Sequence, residues 1–264
     1  MCDMYDRPEQ ADIPLREDRP LRKGVYLLPN LFTTTSLLFG FLGMVWSTNG
    51  LYEYAAMAIL VSAILDGLDG TVARLTNSTS AFGMQYDSLA DIIAFGVNPA
   101  LLLYFWKLDS FGRLGLMAAF LFVCCGALRL ARFNVMSASG EAKKHFVGLP
   151  IPIAACLPAT LVLFSPFLPG IWLPRVMSWA CLVLAYVLSF LMVSHIRYVS
   201  FKEYGIIKAH PFSTMVMVIL IFVLVASQPR LLSFVMLLVY IVSGPVYTYL
   251  ILPRRRLLLL RELS

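Results

Sequence analysis

Four aspartates, Asp66, Asp69, Asp87 and Asp91, stand inside stretches that are otherwise almost wholly apolar. The remaining acidic residues fall in the first 18 positions, at the ends of such stretches or in the loops between and beyond them. A carboxylate placed within a membrane span costs at least ~2.5 kcal/mol on insertion scales, so four so close together require a compensating partner. The spacing brings them together. Asp66 and Asp69 are three residues apart and Asp87 and Asp91 four apart, so on helices each pair shares one face. Converging carboxylates make an all-oxygen donor set, which suits Mg²⁺ or Mn²⁺ rather than zinc. The alternatives are a proton relay or ion pairing with Arg74, but one arginine cannot neutralise four acids.

Positioning such a set requires membrane-length helices of about 20 mostly apolar residues. Eight candidates run approximately over 28–47, 53–73, 83–105, 113–131, 149–167, 171–193, 212–228 and 231–252. The expected fold class is therefore all-α, a polytopic membrane helix bundle of about eight transmembrane helices with an N-terminal interfacial segment. Residues 1–27 read as a cytosolic tail and amphipathic interfacial stretch, and 28–264 as one membrane-embedded domain with its catalytic core over about 28–165. The short turn around Thr76–Ser80 makes the second and third spans antiparallel and adjacent. Gly67, Gly70 and Gly83 are small enough to let these helices approach closely.

Composition agrees with a bilayer as solvent. Of 264 residues, 59% are hydrophobic and 14% charged, with a mean hydropathy of +0.79, against about 25% charged in soluble domains. This excludes a soluble globule, a disordered chain and a nucleic-acid binder, despite the net charge of +6. The five cysteines, at 2, 124, 125, 156 and 181, have no metal-ligand spacing and read as small packing residues. The first 23 residues, with six acids and no apolar run, do not read as a secretory signal. With both termini inside, only Lys107, Arg113, Arg175 and Arg230 of the 21 Lys and Arg residues lie outside. The positive-inside rule then places both termini, and the acidic cluster, at the cytoplasmic face of the cell membrane.

The run Asp66-Gly67-Leu68-Asp69-Gly70-Thr71-Val72-Ala73-Arg74, followed at fixed intervals by Gly83, Asp87 and Asp91, resembles the signature of the CDP-alcohol phosphotransferase family at every specified position. The stretches Asp87-Ser-Leu-Ala-Asp91, Phe95-Gly-Val-Asn-Pro99, Leu128-Arg-Leu-Ala-Arg132-Phe-Asn134 and Gly148-Leu-Pro-Ile-Pro152 are similar to the serine-using branch of that family. Ala94, where serine is usual, and Asn98, where a small apolar residue is usual, depart from it. The resemblance implies transfer of a phosphatidyl group from CDP-diacylglycerol to an alcohol with release of CMP, in a homodimer. Asp66, Asp69 and Asp87 would be ligands of two Mg²⁺ or Mn²⁺ ions, and Asp91 the general base, also touching metal. Gly70 and Ala73 would leave a flat face for cytidine. Arg74, Ser80, Gly83, Asn30 and Thr33 would complete the donor site. L-Serine brings its own carboxylate to an acidic site, so a cation should hold it; Arg129 and Arg132, with Asn134, are the candidates. Other acceptors (glycerol 3-phosphate, inositol phosphate, choline) keep the same chemistry. A cation transporter is the distant alternative, and the paired repeats such folds often show are not evident.

Overall fold

No ionisable side chain interrupts the chain from Leu28 to Thr48, and this stretch forms the first membrane-length helix, α1 (Leu27–Thr48). A computed structural model of the chain describes residues 27–76, 80–138, 148–167, 173–196, 198 and 227–251. The further helices are α2 (Tyr52–Leu75), α3 (Ala81–Asp91), α4 (Asn98–Leu103), α5 (Arg113–Ala138), α6 (Ile151–Phe164), α7 (Leu173–Val193) and α8 (Pro229–Val246). Among the described residues six helices are long and apolar enough to cross a membrane, α6 adds a shorter apolar one, and there is no strand. The candidate span 212–228, save its last two residues, and the tail and interfacial segment, save Leu27, lie outside the described residues.

The third span is one helical run, Phe82–Phe111, but not a uniform one. α3 passes at Ile92 into a π-helical stretch, Ile92–Val97, before α4 begins. Pro99 has no N–H to close an α-helical bond, and a widened turn ahead of it absorbs the mismatch. Such π turns have no periodicity that a sequence reading would detect.

Apolar on every side, α6 sits at the centre, buried from Ile151 to Leu163 over most of its length, as a helix without a polar face must. The surrounding helices turn Leu38, Phe120, Phe190 and Val239 outward, the inverse of a water-soluble surface. The α1–α2 seam is stitched by two reciprocal bonds: Ser36 Oγ donates to the Ser62 carbonyl at 3.3 Å and Ser62 Oγ to the Ser36 carbonyl at 3.0 Å. Polar links of this kind replace the hydrophobic drive that lipid removes.

One expectation holds in part and one is corrected. The second and third spans pack together along Ile92–Leu103, whereas beside α3 it is α1 that makes the contact. The packing partner of the third span thus changes toward its acidic end. Gly67 serves no close approach either, because a Cβ built there would meet nothing within 4 Å. Between the first and third spans the tight contacts lie on α1, where a Cβ at Gly40 would come within 2.8 Å of the Ala94 Cα, and Gly43 abuts the wholly buried Asn98. Both departures from the serine-branch wording therefore sit in this seam.

Gly148 joins the ends of three helices. Its φ is +86°, its N–H donates to the Ile196 carbonyl at 2.9 Å, and a Cβ would meet the Met192 carbonyl at 2.5 Å. A left-handed backbone costs other residues ~1–2 kcal/mol, and the steric contact adds to it. Gly148→Ala should measurably lower the thermal unfolding midpoint of the purified protein; an unchanged midpoint would contradict this packing.

Candidate active site

Ser62, Asp66 and Asp69 are spaced by four and three residues, so the helix α2 that bonds α1 through Ser62 carries both aspartates down the same face. One turn further along α1, Thr33 donates its hydroxyl to Asp69 Oδ2 at 2.9 Å, with both residues buried. Thr33 therefore orients a carboxylate, as outer-sphere hydrogen bonds orient metal ligands. On the facing side α3 starts at Ser80, whose hydroxyl accepts the Gly83 N–H at 2.9 Å as a helix cap. A Cβ at Gly83 would lie 3.6 Å from Asn30 Oδ1, so the start of α1 borders the start of α3.

Asp87 is held from both sides. Its predecessor Tyr86 shares a 2.9 Å hydrogen bond with Thr34 of α1, and its successor Ser88 accepts one from Asn134 Nδ2 of α5 at 3.0 Å. The result is that one oxygen each of Asp66, Asp69 and Asp87 lies within 4.8 Å of the others. The Asp66 and Asp91 carboxyls are within hydrogen-bonding reach of each other. Three carboxylates this close fit a divalent cation in charge and in oxygen chemistry.

Of the three residues expected to hold an acceptor carboxylate, only Arg129 faces the acids. It is buried, its charge acts on Asp91 and Asp66, and its guanidinium lies 5.8 Å from the Phe133 ring. Arg132 instead reaches the end of α7, donating to the Val193 carbonyl at 3.2 Å and the Ser194 carbonyl at 3.4 Å. A cation there satisfies carbonyls that the helix itself leaves open. Asn134 is engaged with Ser88. Gly70 is exposed and Ala73 half-buried on α2, while the Arg74 side chain lies outside the described residues.

Two neighbours escaped sequence reading. Cys156 of the central helix is close enough to feel the Asp66 charge, and Tyr240 of α8 is close enough to feel that of Arg129. Both sit in apolar runs without any motif, so the sequence carried no signal for them.

A family model described as CDP-alcohol phosphatidyltransferase matches residues 26–191. The chain is 45% identical over 182 residues to a CDP-diacylglycerol–serine O-phosphatidyltransferase of Helicobacter pylori, covering 68% of this chain and 74% of that one. It is 38% identical over 173 residues to an archaetidylserine synthase of Methanothermobacter thermautotrophicus, covering 65% and 69%. A CDP-diacylglycerol–serine O-phosphatidyltransferase of Mycobacterium leprae is 33% identical over 227 residues, covering 83% and 73%.

Proposed function

The chain belongs to the CDP-alcohol phosphatidyltransferase family, and we propose that it transfers the phosphatidyl group of CDP-diacylglycerol to the hydroxyl of L-serine, giving phosphatidylserine and CMP in phospholipid biosynthesis. The observation that carries this reading is the tight group of Asp66, Asp69 and Asp87, set in a chain whose relatives at 38–45% identity bear serine-transferase names.

The serine oxygen forms a new bond to the phosphatidyl phosphorus, the bond from that phosphorus to the CMP oxygen breaks, and the serine proton leaves. Asp66, Asp69 and Asp87 would hold the divalent cations, two Mg²⁺ or Mn²⁺ ions. When bound, these supply charge that offsets the pyrophosphate and the developing negative charge of CMP. Asp91, one helical turn beyond Asp87, accepts the proton of the serine hydroxyl and, by the family resemblance, would also touch metal. Arg129 receives the serine carboxylate on its planar fork of donors. The open face of α2 at Gly67, Gly70 and Ala73 takes the cytidine. Arg74, Ser80, Gly83 and Asn30 border the donor phosphates, and Thr33 keeps Asp69 aimed at them. Arg132 and Asn134 act on serine through the elements they tie down.

The charge bias of the loops supports a cytoplasmic active site, with both termini inside and about eight spans following an interfacial segment at 1–27. The membrane domain covers 28–264 with its catalytic core at about 28–165, and by family resemblance the enzyme is a homodimer. The supporting geometry is that α7 ends beside the acidic cluster, through Arg132, whereas α8 begins at the far end, with Arg230 over Phe167.

The direct test is CMP release by purified protein from CDP-diacylglycerol with Mn²⁺ or Mg²⁺, comparing L-serine with glycerol 3-phosphate, inositol phosphate and choline. Release specific to serine is expected, and faster release with another alcohol would reassign the acceptor. Arg129→Gln should raise KM for serine by roughly 10–100-fold, the scale of losing one hydrogen bond to a charged group, and change KM for CDP-diacylglycerol far less. Equal effects on both constants would move Arg129 to the donor site.

A further inference from the structure

At the end of the bundle away from the aspartates there is a concave site. Its cavity, about 590 Å³, lies between the close of the Phe82–Phe111 run and the first turns of α7, and is lined by Trp106, Lys107, Asp109, Arg175, Ser178 and Trp179 among others. Lys107 lies 16 residues beyond Asp91, about 24 Å along a helix axis at 1.5 Å per residue. That separation approaches the ~30 Å hydrocarbon thickness of a bilayer. The proposed chemistry at the aspartates does not reach this cavity.

The lining has two characters. Lys107 and Arg175 supply two cationic donors against one carboxylate, Asp109. The Lys107 amine also stands 5.4 Å from the Trp106 ring centre. Around them is an aromatic wall, with Phe111 set edge-on to Trp179 at 4.8 Å and Phe105 and Trp179 exposed on the outer surface. Amphipathic rings at a span end favour the headgroup level of a membrane. The volume falls within the ~300–1,000 Å³ usual for small-ligand sites.

We propose that this cavity binds the phosphodiester headgroup of an anionic phospholipid from the leaflet opposite the active site. Lys107 and Arg175 take the phosphate oxygens, Ser178 lies where it can bond the headgroup, and the aromatic wall receives the glycerol end of the chains. A ring cage by itself would also suit a choline ammonium, but two cations in the same cavity repel one. A freely soluble phosphate would need the cations and make no use of the exposed rings.

The test uses the full chain with Trp46→Phe and Trp172→Phe, so that fluorescence comes from Trp106 and Trp179. The protein is placed in phosphatidylcholine nanodiscs doped with either phosphatidylglycerol or phosphatidylcholine brominated close to the headgroup. Brominated phosphatidylglycerol should quench several-fold more strongly at equal mole fraction. Lys107→Gln and Arg175→Gln should each remove part of that excess and together all of it, while CMP formation continues and reports an intact fold. Millimolar inorganic phosphate should leave the quenching unchanged. Equal quenching by the two lipids, an excess that survives the double substitution, or loss of the excess to inorganic phosphate would each overturn the proposal, the last in favour of a free-phosphate site.

Discussion

Removal of divalent metal should bring CMP formation to background, and Mn²⁺ or Mg²⁺ should restore it. The reason is the crowding of charge: oxygens of Asp66, Asp69 and Asp87 lie within 4.8 Å of one another. At an effective dielectric near 20, two like charges at that distance repel by about 3–4 kcal/mol, and three carboxylates make three such pairs. A divalent cation relieves all of them together. Asp66→Asn takes one charge out of the group, so its metal requirement should move to higher Mn²⁺ concentration, with turnover partly recovering there. Binding of Mn²⁺ followed by electron paramagnetic resonance, without substrate, should show the same weakening. Undiminished turnover in rigorously metal-free buffer would end this account, and an unchanged Mn²⁺ affinity in Asp66→Asn would remove Asp66 from the ligand set.

The aspartates were legible in the sequence because a carboxylate in an apolar run is expensive and has few reasons to exist. The helices were legible for the matching reason, that 20 apolar residues have few other places to go. What could not be read is how the helices lean on one another. Thr33, Thr34 and Thr35 are consecutive and chemically alike; Thr33 bonds Asp69, Thr34 pairs with Tyr86, and Thr35 turns back to its own helix at the Leu31 carbonyl. Their difference is only rotational position against α2 and α3. Arg129 and Arg132 are equally inseparable by spacing, being one helical turn apart. The end of α7 separates them by offering carbonyls to one and not the other. The adjacency expected of the second and third spans holds along Ile92–Leu103 but not in the same way beside α3, because a short connection fixes antiparallel direction but not which helix fills the space at each depth. There α1 lies against α3.

Asp91→Asn should cost about 10²–10⁴-fold in kcat, the usual scale for a lost general base, while metal and CDP-diacylglycerol still bind. The substitution keeps the shape of the side chain and one carbonyl oxygen, but that oxygen cannot take the proton of the attacking hydroxyl. Asp91 lies one turn from Asp87, its carboxyl reaches that of Asp66, and Arg129 faces it. It thus stands between the group suited to metal and the cation proposed to seat the serine carboxylate, where the serine hydroxyl would arrive. Its loss should therefore appear in turnover at saturating metal and serine, and the concentration of Mn²⁺ giving half-maximal rate should stay near that of the unaltered enzyme. Asp66→Asn is expected to show the reverse, a displaced metal dependence with partial rescue. The two variants are distinguished by which axis moves, so a general loss of fold, which would depress both, cannot imitate the contrast. If excess Mn²⁺ returned Asp91→Asn to a near-normal maximal rate, Asp91 would be a ligand alone, and the proton would have to leave through water or an oxygen of the donor phosphate.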